Sequence, residues 1–304
     1  MQTTPHILMI RPVQFAFNKQ TALSNTFQSN TQNDDSVQEK ALQEFDVMSK
    51  TLQNKGVNVI IINDTPEPHT PDSIFPNNWL SFHADGSVFL YPMQAENRRL
   101  ERRYDILQMI ENEGFIISET NDLTHYENDD KFLEGTGSMI LDRENKVVYA
   151  CLSPRTEPVI LEDFASQADF EIIAFDAFAN EKAIYHTNVM MSLGEKYAVI
   201  CLDAIPDKSQ QTLVVNSLLK TGKEIIEISV EQMNRFAGNM LQVRTITEEL
   251  LVVMSDQAYQ SLTATQIETL SKHGELIHPD LTTIETNGGG SARCMMAEVF
   301  LPLV

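Results

Sequence analysis

Short apolar runs along the chain come in pairs, and a short polar turn separates the two members of each pair. The runs are rich in apolar and β-branched residues, and the turns between them include HADGS, DRENK and GEK. This pattern is typical of β-hairpins. The predicted hairpins cover residues 79–91, 138–152, 189–202 and 240–254.

The hairpins recur at a regular spacing. The residues directly before their first strands lie 51 to 59 positions apart, and one more step of this size reaches Arg293, just before the run CMMAEVFL. These residues are Asn78, Gly137, Asn188 and Asn239. Self-similarity at a period of about 50 residues indicates a repeat architecture, so the sequence predicts five units.

Helical patterns and further strands lie between the hairpins, which gives each unit a helix and three strands. Five units with short strands favour closure into a ring, because a ring protects the edges of its sheets. The strand HILMIRP at residues 6–12 is expected to complete the fifth unit and to close a single domain over residues 1–304. The predicted helices cover residues 96–112, 158–168, 207–221 and 255–273, and the strands that follow include FIIS at 115–118 and EIIEI at 224–228.

The overall charge excludes several classes of partner. The chain has 22 basic and 43 acidic residues and a net charge of −21. Nucleic acids and anionic membranes need a basic face, so neither is an expected partner. No apolar run approaches the ~18 residues of a membrane helix, and the first residues do not resemble a secretory signal. We therefore expect a cytoplasmic protein.

The sequence around the three cysteines predicts a buried environment for two of them and a reactive one for the third. An odd, low count does not form a disulfide framework. Cys151 and Cys201 lie in apolar, strand-like runs, where a free cysteine behaves as a small buried hydrophobe. Cys294 follows GGGSAR, which predicts a flexible loop beside a cation and so a setting that favours a reactive thiolate.

In a ring, the loops that precede the first strands face one axis. These loops are NN, LEGTG, YHTN, AGN and GGGSARC, and three of them contain Glu134, His186 and Cys294. A cysteine, a histidine and a carboxylate together are typical of a nucleophile, its base and the group that orients the base. No metal site is expected, because no two histidines have HxH or HxxxH spacing and the cysteines are far apart.

Six blocks resemble the guanidino-group-modifying superfamily of arginine deiminases, dimethylarginine hydrolases and amidinotransferases. They are DSIFPNNW, PMQAENRRLERR, LEGTGS, LSPRT, YHTNVM and GGGSARCMM, in the order that the superfamily has. The N-terminal block ILMIRPVQFAFNKQTALSNTFQ is similar to the citrulline-utilisation hydrolases in particular. The resemblance covers essentially the whole chain and implies an α/β fold, a five-bladed ββαβ propeller (pentein) with pseudo-fivefold symmetry.

The resemblance also implies roles for five residues and no cofactor. Cys294 matches the nucleophile, His186 the general acid and base, and Glu134 the carboxylate paired with that histidine. Arg98 matches the arginine that holds the substrate α-carboxylate, and Arg155 matches a second anion-binding arginine.

Two departures from the deiminase pattern concern the substrate. Asn78 and Asn188 stand where deiminases have aspartates that grip a guanidinium. An amide does not supply that charge, but it donates to a carbonyl and accepts from an NH2 group, the mixture that the ureido group of citrulline offers. Asp72 matches a carboxylate of the dimethylarginine hydrolases and remains available to an ammonium or NH group. Asn77 is a weaker candidate, because paired asparagines also form turns.

The expected function is therefore a cysteine-dependent C–N hydrolase that converts citrulline to ornithine, carbon dioxide and ammonia through an S-carbamoyl intermediate. The alternative is an arginine deiminase or dimethylarginine hydrolase acting on a guanidino group. A non-enzymatic alternative also stays open, since the same propeller occurs in a ribosome anti-association factor and would suit an amino-acid sensor. The expected partner is a small amino acid, and a homodimer is compatible with the sequence.

Overall fold

A computed structural model describes most of the chain. The described residues are 1–23, 25, 27–29, 36–179 and 181–304. Ser24 and Thr26, which belong to the N-terminal block matched above, lie outside them. In chain order the strands are β1 (His6–Arg11), β2 (Asn58–Asn63), β3 (Leu80–Phe82), β4 (Ser87–Leu90), β5 (Glu119–Asp122), β6 (Ile140–Asp142), β7 (Val147–Cys151), β8 (Glu171–Phe175), β9 (Phe178–Ala179), β10 (Lys182–Ala183), β11 (Met191–Leu193), β12 (Tyr197–Ile200), β13 (Glu224–Glu227), β14 (Leu241–Arg244), β15 (Leu250–Val253), β16 (Glu275–Ile277) and β17 (Ala297–Glu298).

Helices connect the strands, and several of them are only one turn long. They are α1 (Val37–Asn54), α2 (Glu96–Arg99), α3 (Asp105–Asn112), α4 (Gly135–Ser138), α5 (Pro158–Ala168), α6 (Thr187–Met190), α7 (Lys208–Lys220), α8 (Val230–Met233), α9 (Asp256–Ser261), α10 (Ala264–Ser271) and α11 (Thr282–Gly288). Short 3-10 turns lie at Thr21–Leu23, Pro76–Asn78, Thr124–Asp129, Leu202–Ala204 and Ala292–Met295. None of the described helices is both long enough and apolar enough to span a membrane.

The described strands form five three-stranded sheets and one two-stranded sheet, β9–β10. In each of the four sheets inside the chain, two antiparallel strands are followed by a helix and a third, parallel strand. In the first of these sheets Leu80 pairs with Leu90 across β3 and β4, and Val88 pairs with Thr120 across β4 and β5. The four hairpins and the repeat that the sequence predicts are therefore present.

The fifth sheet joins the two ends of the chain. Ile7 of β1 pairs with Glu298 of β17 in an antiparallel register and with Val59 of β2 in a parallel one. The order β17–β1–β2, with α1 before β2, is the same ββαβ unit as in the other four sheets. First strands of neighbouring sheets lie side by side, β17 against β3, β6 against β11 and β11 against β14. This arrangement brings the loops that precede the first strands together.

Two of the four predicted helices are single helices and two are divided. α5 has the predicted bounds, and α7 lies within the predicted 207–221. The predicted helix at 255–273 is divided into α9 and α10, because Leu262 is extended and Thr263 caps α10 with Gln266 in a capping box. The predicted helix at 96–112 is divided into α2 and α3, and the segment between them turns Arg102 toward Glu127.

The third strand of the first unit is not the predicted one. The apolar run at 115–118 pairs with the C-terminal segment instead, where the Ile116 N–H donates to the Pro302 carbonyl. The strand is β5, whose side chains are largely exposed and polar. β5 is a strand because it pairs in parallel with β4. A search for apolar runs does not detect a polar strand of this kind.

Neighbouring units share their apolar cores. Phe164 of α5 packs edge-on against Phe89 of β4, with the ring centroids 5.0 Å apart. Burying aromatic side chains of this size contributes roughly 1.5–3 kcal/mol each. Cys151 and Cys201 are free and buried in these cores, as expected. Packing of one blade on the next holds the axial loops in place.

Candidate active site

The axial loops bring most of the predicted site residues to one cavity. Its walls include Cys294, His186, Asn78, Asp72, Arg98 and Arg155. All six residues are buried, and they come from several units of the repeat. Glu134 is completely buried behind His186 and Arg155.

A glycine lets three of these loops approach each other closely. A Cβ atom on Gly137 would clash with Asn78 Nδ2 and would lie 2.8 Å from His186 Nδ1. In the same loop Gly135 has a φ of +47° and its Cα faces the Asn77 carbonyl. The block LEGTG therefore needs two glycines. Gly135 adopts a positive φ angle, and Gly137 allows a close contact that a side chain would block.

His186 is held by Glu134 in one orientation. Nε2 of His186 lies 2.7 Å from Oε2 of Glu134. A carboxylate only accepts hydrogen bonds, so Nε2 carries the hydrogen and Nδ1 of the neutral ring is free to take up a proton. Oε2 of Glu134 also accepts from Arg155 Nη1 at 3.3 Å, and Oε1 accepts from the Gln94 N–H at 3.0 Å.

The surroundings favour an ionised Glu134 beside a neutral His186. Burial alone would raise the pKa of Glu134, but Arg155 and the hydrogen bond from His186 bring that pKa well below its ordinary value. Burial lowers the pKa of His186 to about 4, against the contribution of Glu134, which raises it. Glu134 favours the protonated ring, but burial outweighs this contribution. The resting imidazole is therefore a base.

Cys294 lies in the 3-10 turn Ala292–Met295 and is 6% exposed. The expected flexible loop is thus a buried turn. Two amides point at the sulfur, with Asn188 Nδ2 at 3.4 Å and Asn239 Nδ2 at 3.3 Å from Sγ. Asn239 was not among the predicted site residues. Its position in the repeat, equivalent to that of Asn188, is the signal that could have identified it.

Four buried polar atoms in this region have no hydrogen-bond partner among the described residues. They are Asn78 Nδ2, Asn77 Oδ1, Asn188 Oδ1 and Asp72 Oδ1. Arg98 Nη1 donates to Asn78 Oδ1 at 2.9 Å. Because a guanidinium never accepts, this bond determines that the free atom of Asn78 is its NH2 group. Buried polar groups are rarely left unpaired, so one donor and three acceptors are open to a further partner here.

The other predicted residues have mainly protein partners. Arg98 bonds Glu101 through Nε and Nη2, both at 2.9 Å. Arg155 contacts Glu134 and stacks on Tyr185, with its guanidinium carbon 4.9 Å from the ring centroid.

Asp72 and Asn77 differ in what they offer a ligand. Oδ2 of Asp72 accepts from Asn18 at 2.8 Å, and burial raises the pKa of this carboxyl against the opposing effect of Arg98. Asn77 donates to Thr136 Oγ1 at 3.3 Å, a bond between two loops rather than toward the cavity.

The described residues contain no group of three or more His, Cys, Asp or Glu side chains arranged to hold a metal ion. The described side chains at the axis include a thiol, an imidazole, carboxylates and amides. Residues 11–301 match the family model for N,N-dimethylarginine dimethylhydrolase, eukaryotic. The chain belongs to the N,N-dimethylarginine dimethylhydrolase family. It is a C–N hydrolase of the guanidino-modifying superfamily, so the non-enzymatic alternative is wrong. The chain matches none of the curated proteins.

Solved structures show the same fold for this family member. Apo ArgZ, an arginine dihydrolase from the ornithine–ammonia cycle in cyanobacteria, superposes with a TM-score of 0.78 at 20% identity. That match covers 98% of this chain and 41% of ArgZ, so the chain spans about two fifths of that enzyme. The substrate-bound N-terminal domain of ArgZ has a TM-score of 0.77 at 19% identity, covering 98% of this chain and 99% of the domain.

A dimethylarginine dimethylaminohydrolase in its adduct with S-methyl-L-thiocitrulline has a TM-score of 0.66 at 15% identity, covering 97% of this chain and 99% of that one. Identities this low compare folds rather than activities. The expected five-bladed α/β propeller is confirmed.

Proposed function

We propose that the protein hydrolyses the ureido group of citrulline to ornithine, carbon dioxide and ammonia. The observation that carries this proposal is the orientation of Asn78, whose NH2 group is buried and has no partner among the described residues. A ureido group has one carbonyl acceptor and N–H donors on both sides. Asn78 Nδ2 suits the carbonyl, while Asn188 Oδ1 and Asp72 Oδ1 suit the donors.

A guanidinium fits these atoms less well. It has five donors and no acceptor, so Asn78 Nδ2 would remain buried and unpaired beside it. An unsatisfied buried donor costs about 1–3 kcal/mol. This difference favours a neutral group with a carbonyl at the position that Asn78 faces.

The proposed chemistry uses the thiol and the imidazole in turn. Cys294 Sγ attacks the ureido carbon while its proton passes to Nδ1 of His186. The C–N bond to ornithine then breaks as His186 protonates the departing amine, leaving an S-carbamoyl cysteine. His186 next takes a proton from water as the water oxygen attacks the thioester carbon. The C–S bond then breaks, the proton on His186 returns to Sγ of Cys294, and the released carbamic acid breaks down to carbon dioxide and ammonia. One residue serving first as acid and then as base is typical of hydrolases.

A guanidino substrate is the second candidate, and the comparisons favour it over citrulline. The matching family is described as acting on dimethylarginine, and ArgZ is described as an arginine dihydrolase. Asp72 supplies the observation in this chain that supports the candidate, because its free Oδ1 suits a cationic N–H group. An Asn-to-Ser variant of the ArgZ domain is described as covalently bound to a reaction intermediate, which supports a covalent route for either substrate.

A substrate panel separates the two candidates. The protein is incubated with L-citrulline, L-arginine or dimethylarginine, and ornithine, citrulline and ammonia are followed by mass spectrometry and a coupled assay. We expect ornithine from citrulline and no citrulline from either arginine. Citrulline formed from an arginine, with no ornithine formed from citrulline, would establish the second candidate. Cys294→Ser is the matched control and should be inactive on every substrate.

A further inference from the structure

We propose that Asn239 is a further catalytic residue, whose amide donates a hydrogen bond to the Cys294 sulfur whenever that sulfur carries negative charge. The inference rests on the proposed function only in that Cys294 is the nucleophile, and it applies to a ureido and to a guanidino substrate alike. Asn239 ends the axial loop AGN, and the roles that the superfamily resemblance implies do not include it.

The surrounding chain fixes the orientation of the Asn239 amide. A backbone N–H only donates, so the Arg293 N–H at 3.1 Å identifies the oxygen, Oδ1. Nδ2 therefore faces the Asn188 carbonyl at 3.0 Å and Sγ of Cys294 at 3.3 Å. The side chain is buried, with 1% of the residue exposed. Because all of these partners belong to the protein, the donor is in place before a substrate binds.

The sulfur of Cys294 needs such a donor when it ionises. Cys294 is 6% exposed, and a buried charge is costly unless hydrogen bonds or an opposite charge compensate it. In the proposed chemistry the sulfur becomes negative twice. The first time is when its proton passes to Nδ1 of His186, and the second is when the C–S bond of the intermediate breaks and its electron pair returns to sulfur. A fixed donor that does not rearrange at these moments stabilises both states.

The contact with Asn239 also suits the neutral thiol. Sγ lies 3.7 Å from Oδ1 of Asn239, which is a longer contact that the thiol proton makes and that ionisation removes. The thiolate has no proton and accepts from Nδ2 instead. Loss of the thiol proton therefore leaves the shorter of the two contacts in place.

Asn188 and Asn239 differ in what else they bind. Asn188 Nδ2 lies 3.4 Å from Sγ, but its Oδ1 has no partner among the described residues and is open to a ligand. Both polar atoms of Asn239 have protein partners. Asn188 thus serves the substrate and the sulfur, whereas Asn239 serves the sulfur. Loss of the Asn239 donor should therefore change kcat rather than KM.

The test follows alkylation of Cys294 by iodoacetamide as a function of pH, without substrate. The thiolate is the reactive form, and mass spectrometry of the peptide that contains Cys294 separates it from the buried Cys151 and Cys201. Asn239→Asp keeps the shape and an acceptor for the Arg293 N–H but removes the donor, and Asn239→Ala removes the donor without adding charge. We expect the midpoint of the pH profile to rise by about one to two pH units in both variants, since a hydrogen bond to a charged group is of this size.

Turnover gives a second readout, measured on whichever amino acid the substrate panel shows to react. We expect kcat to fall at least about tenfold and KM to change less than about threefold. Gln242→Glu is the matched control, because it changes another buried amide of the same unit, in β14. Gln242 bonds the Glu195 N–H and the His273 carbonyl rather than the sulfur, so this variant should keep the parental midpoint.

A parental midpoint in either folded variant of Asn239 would overturn the inference. An equal shift in Gln242→Glu would overturn it too, because the effect would then be a general loss of packing. A raised KM with parental kcat would do the same, since it would place Asn239 on the substrate. Should Asn239→Ala fail to fold, as judged by thermal unfolding, the isostere Asn239→Asp gives the same comparison. Absence of citrulline turnover would refute the proposed function alone, because alkylation involves no substrate.

Discussion

Replacing Asn78 by aspartate should reverse the preference between ureido and guanidino substrates. The new carboxylate has no donor, so the carbonyl of citrulline would lose its partner at a cost of about 1–3 kcal/mol. A guanidinium would instead gain a charge-assisted bond of about 1.5–3 kcal/mol. Arg98, 2.9 Å from the same side chain, neutralises part of the added charge, which makes the lower sum the safer expectation. The lower ends add to about 2.5 kcal/mol, which corresponds to roughly a 70-fold change in selectivity.

The assay is the ratio of kcat/KM for arginine to kcat/KM for citrulline, measured for the parent and for Asn78→Asp. Adding Asn188→Asp should lower both values, because its charge would lie beside the sulfur of Cys294, and should change the ratio less. Asn77→Ser is the matched control, since Asn77 bonds Thr136 rather than facing the cavity. A folded Asn78→Asp variant with the parental ratio would refute the argument from charge.

Three further expectations concern the histidine and the glycine beside it. Glu134→Gln replaces a charge-assisted bond of about 1.5–3 kcal/mol and should lower kcat by about 10- to 150-fold; a loss below threefold would show that His186 is oriented by something else. Gly137→Ala introduces a methyl group that displaces Asn78 and His186 and should lower kcat/KM at least about tenfold, whereas parental kinetics would contradict the close approach. Burial lowers the pKa of His186 to about 4 in the folded chain, while the unfolded chain binds this proton near pH 6.5, so stability falls as the pH drops between these values. We therefore expect the free energy of unfolding, measured in urea, to fall by up to about 3 kcal/mol more between pH 7 and pH 4.5 in the parent than in His186→Gln. An equal fall in both proteins would contradict the lowered pKa.

Asn239, beside the nucleophile, shows what the repeat pattern predicts about the site and what it does not. Asn188 and Asn239 occupy equivalent positions before their strands, and both donate to Cys294 Sγ. The spacing placed Asn239 at the axis, but only the folded loops put its amide within reach of the sulfur. The polar strand β5 is the opposite case, because nothing in its own residues distinguishes it from a loop.

The sequence by itself determined the hairpins, the repeat and the set of loops that contain Glu134, His186 and Cys294. These features follow from local rules, namely apolar alternation, turn residues and regular spacing, which are read along a single segment. The tertiary structure decided the protonation state of His186 and the orientation of the Asn78 amide. Burial makes His186 a neutral base, and the bond from Arg98 to Oδ1 of Asn78 leaves the NH2 group of that amide without a partner among the described residues. Both effects depend on groups from distant segments that pack within a few ångströms of each other. At such distances, the removal of water sets the protonation state and the direction of each donor sets the amide orientation, and neither can be read from the residue type alone.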